Sequence, residues 1–142
     1  MRTMIVLFDT NIILDHLLRR EPHSNFADSL IERCLYGDIN GYIAAHSIPN
    51  VFYIMRKLHS SQKRKDMIRN LCGFLTIVGI DQRKIFDSLD NENFDDIEDF
   101  LQAECALEIN ADYIVSRDFD GGFENSIVPV ISPKNLLEII NK

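Results

Sequence analysis

Short β-rich apolar runs alternate with segments of helical periodicity from one end of this chain to the other, and few architectures accommodate that alternation. The runs fall at residues 5–8, 42–45, 76–80, 113–116 and 127–131, each flanked by Gly, Asp, Asn or Pro. Thr10 or Asn11 opens a helix through Leu18 that Pro22 stops. Ser24 opens another, whose apolar face carries Ala27, Leu30, Ile31 and Cys34 before Gly37 closes it. Ser47 with Pro49 starts a helix reaching Leu58, and Ser61 starts one bearing Met67, Ile68, Leu71, Cys72 and Leu75. Asp81 begins a short helix through Leu89, Asp95 or Asp96 one through Glu108, and Ser132-Pro133 the last. Strands alternating with helices predict an α/β fold, most economically a parallel sheet covered on both faces with right-handed crossovers.

No repeat, low-complexity tract or linker interrupts this order, so the reading is one domain over residues 1–142. At this length a hydrophobic core forms without disulfides or a structural metal. Cys34, Cys72 and Cys105 are odd in number and far apart, as expected of buried thiols in a reducing compartment. The apolar run from Met4 ends at Asp9, too short for a signal-peptide core or a membrane span, which makes the expected location cytoplasmic.

The net charge is −7, which argues against a protein that holds nucleic acid by bulk positive charge. Seven acids and no base lie between Asp87 and Asp99; elsewhere 15 acids balance 15 bases. The reverse holds from Arg56 to Arg69, where Arg56, Lys57, Lys63, Arg64, Lys65 and Arg69 face only Asp66. That stretch reads either as a solvated helix face or as a phosphate-contacting patch. The acidic run reads either as a loop and helix start or as part of a site.

In open parallel sheets the ligand site lies outside the carboxyl ends of the strands. Asp9 directly follows the first apolar run, and Asp118 follows the fourth in the same way. Asp99 lies one turn into the helix that begins near Asp95, and Asn50 lies early in the helix opened by Ser47. Four side chains distant in sequence thus converge on one rim. Carboxylates brought together raise one another's pKa unless a cation neutralises them. With no Cys or His pair nearby, the ion that fits is a hard one, Mg²⁺ or Mn²⁺, and such a site equips a protein for phosphodiester hydrolysis. For Asp9 alone, a helix N-cap is an equally good reading. His16, His23, His46 and His59 show no ligand spacing and read as surface or capping residues. Tyr42, Phe52, Tyr53 and Phe74 fit core positions, and Asp15 fits a solvent-facing or supporting one. Asp96 and Glu98 are explained as helix-start carboxylates.

The stretch Phe8-Asp9-Thr10-Asn11-Ile12-Ile13-Leu14-Asp15 resembles the opening motif of PIN domains, small metal-dependent ribonucleases that include the toxins of VapBC toxin–antitoxin pairs. Further matches follow in order: Ala45 to Asn50, Asp96 to Ala103, Ala111 to Asp118, and the close of the chain from Ile127 to Pro133. The resemblance implies a PIN-like three-layer α/β/α fold with a five-stranded parallel sheet. It implies Asp9, Asp99 and Asp118 as the first, third and fourth acids, catalytic and metal-holding, with Thr10, Asn11 and Ser116 as hydrogen-bonding groups that keep them in place. The family's second acid falls on Asn50, which keeps a carbonyl oxygen for a ligand but adds no charge. Weaker metal binding and low activity are the expectation there. Asp120 either stands in for a later acid or is a turn residue before Gly121-Gly122.

The leading function is therefore a Mg²⁺- or Mn²⁺-dependent endoribonuclease, the toxin of a type II toxin–antitoxin pair, with an RNA substrate and a cognate antitoxin. The alternative is a catalytically weakened RNA-binding or regulatory module of the same fold. A haloacid-dehalogenase-like phosphatase needs a second Asp where this chain has Asn11, and no phosphate-cradling G-x-x-x-x-G-K-[ST] occurs. Apolar positions on the helices at 24–35 and 47–58, together with the habit of PIN domains to pair, predict a homodimer. No membrane association is expected.

Overall fold

The computed structural model describes residues 2–117 and 123–142. Five strands form one parallel sheet: β1 Met4–Phe8, β2 Ile39–Ala44, β3 Thr76–Val78, β4 Tyr113–Val115 and β5 Val130–Ile131, in the order β3-β2-β1-β4-β5. The described residues also form seven α-helices: α1 Thr10–Leu17, α2 Ser24–Tyr36, α3 Ser47–Ile54, α4 Ser61–Leu71, α5 Gln82–Asp90, α6 Ile97–Glu108 and α7 Pro133–Ile140. A single 3₁₀ turn, Met55–Lys57, extends α3. None of these helices is long and apolar enough to cross a membrane.

β1, buried from Val6 to Phe8, shows how the sequence builds two layers on one sheet, because successive side chains on a strand point to opposite faces. Val6 and Phe8 join a core with Ile12 and Leu14 of α1, Leu30 and Ile31 of α2, Val51 of α3, Ile68 of α4 and Leu136 of α7. Leu7 faces the other way, into a second core with Ala44, Val78, Ile114 and Cys105 and Ala106 of α6. Burial pushes the thiol pKa of Cys34 up to about 12 and that of Cys105 to about 11, so both stay protonated; all three cysteines are free.

Two glycines are required by geometry. Gly37 ends α2 at φ +84°, the left-handed conformation of a helix terminus, and donates its N–H back to Cys34. Gly41 lies where a Cβ would come within 2.5 Å of Cys34 Sγ, 2.6 Å of Leu75 Cδ2 and 2.8 Å of Phe8 Cε2. On the opposite layer the buried Lys84 of α5 donates to Gly79 O at 2.6 Å and pairs with Glu108 of α6 at 2.9 Å, tying the two helices together. At the amino edge of the sheet Asp112 accepts the Ile5 N–H and pairs with Arg2, which holds its carboxyl below the usual carboxylate range.

The expected elements all form, with shifted ends. β2 starts at Ile39 rather than at 42, and α4 stops at Leu71, before Gly73. The run expected at 127–131 pairs only through Val130 and Ile131; Ile127 is exposed, and Pro129 has no N–H to give a ladder. Tyr53 is exposed rather than in the core, with Arg56 stacked over its ring.

Candidate functional site

The chain steps from β1 to β2 on one side and later returns to place β4 on the other side of β1. The switch point of the sheet thus lies between the carboxyl ends of β1 and β4, where open α/β sheets form their crevice. Asp9 leaves β1 at this point, its backbone N–H bonded to Val115 O of β4 at 2.9 Å. Its side chain caps α1, one oxygen accepting the Thr10 N–H at 2.8 Å, and the other accepts the Ser116 hydroxyl at 2.9 Å. Asp9, Thr10 and Ser116 are buried. Asp9 is thus the N-cap of α1, and capping fixes the direction of its carboxylate at the helix N-terminus, where the dipole favours negative charge.

A cleft of about 270 Å³ opens beside it, lined by Asp9, Thr10, Asn11, Ile54, Asp96, Glu98 and Asp99. Asp9 and Asp99 thus share one wall-to-wall space although 90 positions separate them in the chain. Asp96 caps α6, accepting the Glu98 N–H at 2.7 Å, so the N-termini of both α1 and α6 adjoin the cleft. Asn11 is exposed on the rim, and its side-chain and backbone oxygens both accept from Arg20. Asn50 is not among the residues lining the cleft; its amide donates at 2.6 Å to Glu98, which is. Asp118 and Asp120 lie outside the described residues.

Thr10, expected as a hydrogen-bonding group, is joined by two side chains that the sequence reading does not place at the site. The Thr10 and Ser47 hydroxyls lie 2.8 Å apart, and the buried Gln102 amide donates to Ser47 at 2.9 Å and to Thr10 at 3.3 Å, joining α1, α3 and α6. Gln102 stands three residues after Asp99, on the same helical face, and Ser47 three residues before Asn50; that spacing was the available signal. Asp15 is fully buried rather than solvent-facing, and two arginines take its charge: Arg117 at 2.7 and 3.1 Å and Arg20 at 2.9 Å. His16 pairs with Asp28 of α2. His46, half-buried beside Asp96 and the Glu98 backbone, has neither ring nitrogen in a well-formed hydrogen bond. Burial lowers its pKa against the upward pull of those neighbours. In the basic stretch Arg64 is held by the carbonyls of Phe52, His59 and Ser60 and stacks on Phe52, whereas Lys57, Lys63, Lys65 and Arg69 are exposed.

The charged side chains lining the cleft are all carboxylates, with no thiol or imidazole among them, and that donor chemistry suits a hard divalent cation. Among the described residues no three potential ligands stand close enough to form a complete set by themselves.

Residues 5–120 match the PIN domain family, and the chain belongs to it. Its fold is also similar to those of solved toxin–antitoxin assemblies. A toxin–antitoxin complex from Klebsiella pneumoniae matches with a TM-score of 0.67 at 21% identity, over 90% of this chain and 97% of that one. VapBC2 from Rickettsia felis, bound to a DNA fragment from its promoter, matches with a TM-score of 0.62 at 15% identity, over 91% and 98%. FitAcB from Neisseria gonorrhoeae matches with a TM-score of 0.57 at 17% identity, over 91% and 98%. No curated protein matches the chain in sequence. At these identities the structural likeness speaks for the fold, which is the PIN-like α/β/α architecture with five parallel strands.

Proposed function

We propose that this chain is a Mg²⁺- or Mn²⁺-dependent endoribonuclease acting as the toxin of a toxin–antitoxin pair. The observation that carries the reading is the meeting of Asp9 and Asp99 on one cleft at the switch point of a PIN-family sheet. Asp9, Asp99 and Asp118 are the carboxylates that would hold the ion. The chemistry such an ion supplies is a lower pKa for water and compensation of the charge that builds on a phosphoryl group. The protein's part is orientation: Ser116 and the Thr10 N–H fix both oxygens of Asp9, and Gln102 with Ser47 fixes the Thr10 side chain behind it. Held this way, the carboxylates keep their direction when a phosphodiester enters, and little reorganisation remains for the reaction. Exposed lysines at 57, 63 and 65 offer contacts to the RNA backbone.

The proposed partners are an antitoxin protein, in keeping with the complexes formed by the similar structures, and a second copy of this chain. The protein is proposed to work in the cytoplasm as a single domain. Cleavage of a defined RNA by the purified chain in Mn²⁺ or Mg²⁺, lost on chelation and in Asp9→Asn, is the expected result. Metal-independent cleavage, or full cleavage by Asp9→Asn, would overturn the reading. Light scattering is expected to give twice the 16.4 kDa chain mass. A second reading, an RNA-binding module weakened in cleavage, is favoured by the uncharged amide at Asn50. RNA binding without turnover at saturating Mn²⁺ would establish it instead.

A further inference from the structure

The acid missing at position 50 has a counterpart on the neighbouring helix. Asn50 of α3 donates from Nδ2 to Oε1 of Glu98 on α6 at 2.6 Å, and the two side chains are half-buried. Glu98, and not Asn50, lines the cleft together with Asp9 and Asp99. An amide NH₂ donates to a carboxylate without adding charge. A carboxylate at position 50 would stand against Glu98 at the same distance, and two such groups resist ionising together. Asn50 and Glu98 are therefore matched: the charge sits on α6, and the amide on α3 holds it toward the cleft. Asp96 lines the same cleft and caps α6 through the Glu98 N–H, which adds to the hold on Glu98 from its backbone side.

We propose that Glu98 supplies the negative charge that position 50 lacks, acting across the cleft on an ion held by Asp9 and Asp99 rather than as a third direct ligand, with Asn50 as its positioning residue. The proposal rests on the reading of this cleft as a divalent-metal site. It reverses the expectation that Asn50 leaves the site short of charge, and it gives Glu98 a task beyond that of a helix-start carboxylate.

Mn²⁺ alone, titrated into the full chain by calorimetry without RNA, tests this separately from activity. Wild type is expected to bind, Asp9→Asn to lose binding, and Glu98→Gln to bind about tenfold or more weakly while keeping the metal-free melting temperature. Glu104→Gln, a charge removed from the same helix away from the cleft, is expected to leave affinity unchanged. The exchanged pair Asn50→Glu with Glu98→Gln returns the charge across the same hydrogen bond and is expected to recover most of the affinity. Wild-type affinity in Glu98→Gln, with binding still lost in Asp9→Asn, overturns the role of Glu98 and leaves the metal site standing. An exchanged pair that is folded but no tighter than Glu98→Gln overturns the coupling to Asn50. No Mn²⁺ binding by wild type, or unchanged binding by Asp9→Asn, overturns the metal-site reading and this proposal with it.

Discussion

Arg117, the residue after Ser116, grips the buried carboxylate of Asp15 with both Nε and Nη2, at 2.7 and 3.1 Å. The contact joins α1 to the chain leaving β4 across 102 positions of sequence, and Arg20 completes the same carboxylate from the other side. Asp15→Asn keeps the volume and removes the charge that both guanidinium groups share. A loss of about 2 kcal/mol is expected in urea unfolding. This is less than for a fully buried pair, because the arginine side chains remain 35% and 32% exposed.

Ser116→Ala removes the hydroxyl that orients Asp9 and leaves the core intact. Stability is expected to fall by about 1 kcal/mol, whereas Mn²⁺ affinity falls by about tenfold. Calorimetric titration beside a thermal melt separates the two effects, and a loss of stability without a loss of affinity would contradict the orienting role.

His46 gives a pH dependence with a definite sign. Its folded pKa lies below the ordinary value of about 6.5, so between the two the unfolded chain binds more protons and stability rises with pH. The stabilisation is complete above pH 6.5 and is lost as pH falls below it. Urea midpoints at pH 5, 6, 7 and 8 are expected to fall more steeply on acidification for wild type than for His46→Gln.

Gly41→Ala places a methyl group against three core side chains and is expected to cost about 1–3 kcal/mol. Gly79→Ala meets nothing within 4 Å and is expected to stay within about 0.5 kcal/mol. Melting temperatures of the two variants measured side by side check the contrast.

These residues also mark where the sequence is legible. Asp9 can be found because a carboxylate directly after an apolar run must leave a buried strand at its carboxyl end, and Asp99 because one turn of helix returns it to that edge. Glu98 and Asp15 cannot be read in the same way. Each is paired with a residue of another element, Asn50 for the one and Arg117 for the other, and no local pattern carries a pairing across 48 or 102 positions. The start of β2 is hidden for a similar reason: Asn40 and Gly41 have low strand propensity, and Gly41 is set by Cys34, Leu75 and Phe8 packing against it. At 127–131 apolar composition overstates the strand, because pairing needs N–H groups and Pro129 has none.

Both outer strands of the sheet are short, β3 with three residues and β5 with two, and Pro129 precedes β5. A foreign strand approaching either side would find few free N–H and C=O groups to pair with, too few to template growth of the sheet. The molecule is therefore guarded against edge-to-edge aggregation even though its central strands are almost wholly apolar. Among the described residues the broader surfaces open to a second chain are those of the helices, where side chains rather than backbone choose the companion.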